Sequence, residues 1–225
     1  IVDGLLFHET AHEWWGNSIT AIDPAHMWIQ EGFAVYSEAL YIEYKLGYNV
    51  MIDFLLKKRE GIKNNLPIVG PVNENYWAFG DSYNKGAWVL HTLRNAINND
   101  DLWFSTLKKF AVDNAKSHVS TETFLNYIIK ATGKNYQLVF YQYFYDHRPP
   151  TFEYYQEGQM FYYRWSNVIS GFAMPVDIDL NGVEKRLEVS EKLSSIKISE
   201  HSVIHIRDWE SLIITKRNPD IKKLN

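Results

Sequence analysis

An α+β fold, in which an all-helical part is followed by a small antiparallel β-sandwich, is what the sequence predicts, and three observations carry it. Apolar residues follow a helical period through the first two thirds of the chain; past "DHRPPTFEYY" they fall into short alternating runs; and turn signals separate those runs. Pro149 and Pro150 mark the junction, which predicts domains at 1–148 and 149–225.

The elements follow in order. A first helix carries "HETAHEWWGN". Asp23 reads as an N-cap, Pro24 as the first helical residue and Gly47 as the stop, so 24–46 is one long helix. Further helices are expected near 49–62, 83–98, 101–115, 121–132 and 136–146, the 121–132 helix ending at Gly133. "NNLPIVGPVNENYWAFGDSYN" between the first two of these is a long loop. In the second part "TFEYYQEGQMFYYRW" is a hairpin around Glu-Gly. Asn181-Gly182 is a second hairpin turn, and "SSIKIS", "SVIHIR" and "SLIITK" are further strands.

Composition narrows the function. The 225 residues are 46% hydrophobic, enough for a real core. A net charge of −4 and a pI near 6.1 offer no basic footprint for phosphate backbones, so nucleic acid is excluded as a partner. With no cysteine, any metal must be held by His, Asp or Glu, and the compartment stays open. No apolar run approaches the ~20 residues needed to span a bilayer. The start "IVDGLLFHE", without Met and already apolar, reads as a piece of a longer chain, and its exposed apolar face is a candidate dimer contact.

Residues four apart share a helix face, so His8 and His12 can reach one ion while Glu9 points to its edge. Zinc suits imidazole, and a catalytic site takes three protein ligands with one position left open. After a spacer of eighteen residues stands Glu31, which an antiparallel second helix would return to the two histidines. Glu38, seven residues on, lies on the same face and is expected to accept a hydrogen bond from a ligand imidazole. Trp14 and Trp15 are expected in the core. His26, His91, His118, His147, His201 and His205 have no partner at metal spacing and read as ordinary core or surface residues.

"HETAHEWWGN", the eighteen-residue spacer, "WIQEGFA" and "YNKGA" together resemble the gluzincin aminopeptidases of the aminopeptidase N and leukotriene hydrolase family. The resemblance implies the helical half of a thermolysin-like catalytic domain followed by a β-sandwich. It implies one Zn(2+) per chain on His8, His12 and Glu31, with Glu9 as general base and Tyr83 as the hydroxyl that steadies the oxyanion. The implied reaction is hydrolysis of the N-terminal peptide bond of a peptide substrate. Two departures stand out: Gln30 replaces the usual Asn before the ligand glutamate, and no Gly-x-Met-Glu-Asn segment for the substrate amine is present. These residues alone are therefore expected to bind zinc but to turn over aminoacyl substrates poorly. Competing readings are an endopeptidase or epoxide hydrolase of the same group, and a metal-binding scaffold without catalysis; the complete set of ligands and base argues against the scaffold.

Overall fold

A computed structural model describes residues 3–76, 78 and 80–223. The chain divides into two compact units, Ile1–His147 and Arg148–Asn225.

In the first unit α1 (Gly4–Ala11) starts where Asp3 accepts a hydrogen bond from the Leu6 amide. Asp23 does cap a turn, accepting from the Ala25 amide, but that turn is a 3₁₀ segment, Pro24–His26. The α-helix α2 begins only at Trp28 and runs to Leu46. A tie that propensity does not report holds the turn: His26 is buried with Nδ1 2.9 Å from the Thr121 hydroxyl. Gly47, at φ 95°, ends α2 and opens α3 (Tyr48–Arg59). The loop that follows is pinned to the helices, because Asp81 accepts from the Lys63 and Asn64 amides at 2.8 Å and Val69 donates to the Phe144 carbonyl.

α4 (Gly80–Ile97) is buried along most of its length and packs along α2. After it come α5 (Asp100–Asp113), α6 (Thr121–Thr132) between a Ser120/Thr123 capping box and Gly133 at φ 68°, and α7 (Gln137–Phe140). The helix expected to 146 widens after Phe140 into a π turn, Tyr141–Tyr145. The unit also holds two three-residue strands, β1 (Ile19–Ala21) and β2 (Ser117–Val119), paired in parallel and too short for alternation to reveal. Its core is aromatic: Trp28 lies 4.2 Å from Phe144, and Phe33 5.1 Å from Phe124, between ring centroids.

Arg94 is the charged tie of this unit. Its fork donates to Glu43 at 2.6 and 2.9 Å and to Asp100 at 2.8 and 2.7 Å, linking α2, α4 and the start of α5. Arg94→Ala leaves the Glu43 carboxylate largely buried without its cation. The expected loss is about 3 kcal/mol, the lower end for such pairs because the Asp100 side chain is 58% exposed. Equilibrium thermal unfolding should show a drop of roughly 6–12 °C.

The second unit opens with a hairpin, β3 (Thr151–Glu157) and β4 (Met160–Ser166), around Gly158 at φ 54°. A second hairpin, β5 (Val176–Leu180) and β6 (Val183–Leu187), turns on Asn181 and Gly182, both at positive φ as a type I′ turn requires. With β7 (Ser194–Lys197), β8 (Ile204–Ile206) and β9 (Ile214–Arg217) they form two sheets, ordered β7-β4-β3-β9 and β6-β5-β8. All pairs are antiparallel except β3 with β9, which alternation along single strands cannot foresee. Phe152, Phe161 and Trp165 of the first sheet and Val176, Ile178 and Leu187 of the second are buried. No helix among the described residues is long and apolar enough to cross a membrane.

Candidate metal centre

The helical spacing of His8 and His12 sets their rings edge to face, 4.7 Å apart between centroids. Glu31 sits in the first turn of α2, where the Asp23 turn delivers it beside them. Its Oε2 lies 3.4 Å from His8 Nε2 and 3.5 Å from His12 Nε2. Among the described residues these three form the one group of His, Asp and Glu able to hold a metal, their donor atoms all within 4.8 Å.

Whether zinc fits can be tested on hydrogens and distances. His12 Nδ1 is 2.9 Å from the Trp15 carbonyl oxygen, which can only accept, so Nδ1 carries a hydrogen and Nε2 is the ring nitrogen left to face an ion. His8 Nδ1 is likewise 2.9 Å from Glu38 Oε1, and Lys58 Nζ lies 3.8 Å from Glu38 Oε2. Both Nε2 atoms therefore turn toward Glu31 Oε2, a buried oxygen with no hydrogen-bond partner. That is an unfavourable grouping by itself and a good one around a cation. A tetrahedral ion with bonds of about 2.05 Å separates its ligand atoms by roughly 3.3–3.4 Å, close to both distances to Glu31. The site's demand for positive charge also shows in His8, whose imidazolium Glu31 first and then Glu38 stabilise, raising its pKa from 6.5 to about 9.

Glu9 is exposed at the edge of this group on α1. Tyr83, in the first turns of α4, stacks on the His8 ring at 5.9 Å between centroids. Burial, and then the Glu31 carboxylate, push its hydroxyl up to about 12, so it is a hydrogen-bond donor at any ordinary pH. Tyr76 points elsewhere, its hydroxyl donating to the Pro67 carbonyl. A cavity of about 540 Å³ adjoins the site, lined by Leu5, His8, Glu38, Phe54, Lys58 and Tyr83 among others.

Trp14 corrects an expectation: it is 56% exposed. α1 ends at Ala11, so Trp14 lies in the turn that follows and Trp15 in an isolated bridge to Ile19, not on consecutive helical positions. Trp15 does pack, 4.2 Å from Phe33 between ring centroids, with Nε1 donating to Ser37 Oγ. The contribution of its carbonyl to His12 escapes sequence reasoning, since a backbone acceptor has no residue-type signature. Gly16 is the indirect signal: it has φ 143°, and a Cβ there would stand 3.3 Å from the His12 carbonyl oxygen and 3.5 Å from His12 Nδ1. Gly16→Ala is expected to disturb that hydrogen bond and weaken zinc binding about 10- to 100-fold, measured by competition with a chromogenic chelator. Unchanged zinc affinity would leave the Trp15 carbonyl without a role at the metal.

Comparison with known proteins returns one family profile, described as Peptidase family M1 domain, over residues 2–143. The relatives include endoplasmic reticulum aminopeptidase 2 of Homo sapiens, 31% identical over 129 residues, 52% of this chain and 13% of that protein. Aminopeptidase M1-A of Oryza sativa subsp. japonica is 32% identical over 128 residues, 50% of this chain and 14% of that one. Glutamyl aminopeptidase of Bos taurus is 32% identical over 130 residues, 52% of this chain and 14% of that one. The chain thus spans about a seventh of the length of the curated relatives it matches. Among solved structures, aminopeptidase A of Legionella pneumophila in complex with aspartic acid superposes with a TM-score of 0.76 at 18% identity, covering 96% of this chain and 27% of that one. At that identity the likeness is one of fold.

Proposed function

Since the chain belongs to peptidase family M1, we propose that it carries the metal centre of a zinc peptidase that removes N-terminal residues from peptides. The observation that carries the proposal is the convergence of two imidazole Nε2 atoms on one buried carboxylate oxygen, all within the reach of a single ion. His8, His12 and Glu31 would hold one zinc. A zinc ion supplies Lewis acidity toward a water molecule and a peptide carbonyl. Glu9, beside the ligands but not among them, takes the proton of the attacking water and delivers it to the departing amine. Tyr83 donates its hydroxyl hydrogen to the carbonyl oxygen as negative charge gathers there. Glu38 and the Trp15 carbonyl keep the two imidazoles in the tautomer that presents Nε2.

The exopeptidase direction is supported by the relatives, each named an aminopeptidase, and by no residue of the site itself. Leu5 and Leu6 are exposed on α1 at 71% and 66% but select no partner, so dimerisation is not part of the proposal.

The test is zinc content together with cleavage. The purified protein should hold about one zinc per chain and hydrolyse a free-amine peptide faster than its N-acetylated form. Equal cleavage of both would turn the reading toward an endopeptidase, and a protein that takes up no zinc would end it.

A further inference from the structure

We infer that the contact between Gly32 and Gly86 is a positioning element that sets the distance between Glu31 and the Tyr83 hydroxyl. The inference rests on the peptidase reading above. Gly32 follows Glu31 on α2, and Gly86 lies one turn past Tyr83 on α4. A Cβ on Gly32 would stand 2.9 Å from Gly86 Cα, 3.1 Å from its carbonyl carbon and 3.2 Å from the Ser82 carbonyl oxygen; a Cβ on Gly86 would stand 3.0 Å from Gly32 Cα. Carbon atoms in good contact are about 3.5–4.0 Å apart, and here the nearest neighbours are backbone, which cannot swing aside. The two helices therefore touch main chain to main chain, and any larger side chain must move one of them.

Close packing alone is the competing explanation, and two features argue beyond it. A glycine inside a helix costs about 1 kcal/mol relative to alanine, so this pair is unfavourable to both helices taken singly. The pair also falls at the two turns that carry a metal ligand and the hydroxyl. The contact is enclosed by side chains: Trp28, Trp88 and Lys85 are fully buried, and Lys85 Nζ donates to the His147 carbonyl at 3.2 Å. Displacing α4 at Gly86 displaces Tyr83 relative to His8 and Glu31, while the three ligands, all on α1 and α2 or at the end of α1, keep their places.

A double-mutant cycle on the zinc-loaded protein separates positioning from packing. Gly86→Ala, Tyr83→Phe and the double variant are compared for zinc affinity by chelator competition, for binding of a phosphinic pseudodipeptide that mimics the tetrahedral transition state, and for thermal unfolding. Gly86→Ala should keep zinc affinity within about threefold, yet bind the phosphinate roughly 10- to 100-fold more weakly. In the Tyr83→Phe background it should add nothing further. Gly32→Ala, pressing on the same contact from the ligand side, should weaken zinc as well. Additive losses in the double variant, or a Gly86→Ala protein that binds the phosphinate normally, overturn the inference, as does loss of cooperative unfolding in both single glycine variants. A parent protein that binds no zinc, or a Tyr83→Phe variant that binds the phosphinate as well as the parent, strikes instead at the peptidase reading and removes this inference with it.

Discussion

Glu9→Gln should leave a protein that holds its zinc and unfolds at the parent temperature, while kcat falls about 10²- to 10⁴-fold. The side chain is exposed, one position round α1 from His8, and is absent from the group of atoms that can reach the metal. Replacing a carboxylate by its amide there changes no packing, and surface substitutions of this kind usually stay within about 0.5 kcal/mol of stability. On the proposed mechanism the amide removes a base, since it cannot take the proton of the attacking water. KM should change little, because Glu9 is asked to act only as the reaction proceeds. Zinc stoichiometry, unfolding temperature and steady-state kinetics on one preparation decide the matter. Parent-like kcat would remove Glu9 from the mechanism, whereas loss of zinc would mean that it supports the ligands.

The reach of sequence reasoning here follows the range of the interactions involved. The pairing of His8 with His12 is local, a consequence of helical period within one segment, and most helix ends are equally local because Asn99, Ser120 and Gly133 cap them within a turn. Glu31 is visible at a longer spacing because one turn and one helix return it to α1. Where the determinant is a backbone group or a distant surface, the sequence is silent. The Trp15 carbonyl, the β1–β2 pair and the parallel partner of β3 belong to that class. The 3₁₀ start of α2 depends on a hydrogen bond across 95 positions, from His26 to Thr121. Trp14 shows the converse: a large aromatic residue predicts burial only while the helix that would bury it continues.

Glu31→Gln should raise the zinc dissociation constant about 10²- to 10³-fold and also flatten its dependence on pH. The first effect is the loss of one of three anchors, from a total that for protein zinc sites is about 10–16 kcal/mol at neutral pH. The second comes from His8. In the metal-free protein Glu31, and then Glu38, hold the His8 imidazolium up to about 9, so below that pH zinc must displace a proton to reach Nε2. Apparent zinc affinity of the parent should therefore climb close to tenfold per pH unit from about 6.5 toward 9, with nearly one proton released per ion. Folding stability of the metal-free protein follows the same group. His8 binds its proton more tightly folded than unfolded, so its contribution is complete below pH 6.5 and is lost as pH rises through 9. In the Glu31→Gln variant the largest cause of the raised pKa is gone and only Glu38 remains, so both slopes should be shallower there than in the parent. Calorimetric titrations in buffers of different ionisation enthalpy count the protons directly. A parent that releases none at pH 7.5 would mean that His8 holds no proton for zinc to displace, which would remove the pH dependence and leave the loss of affinity as the test of Glu31.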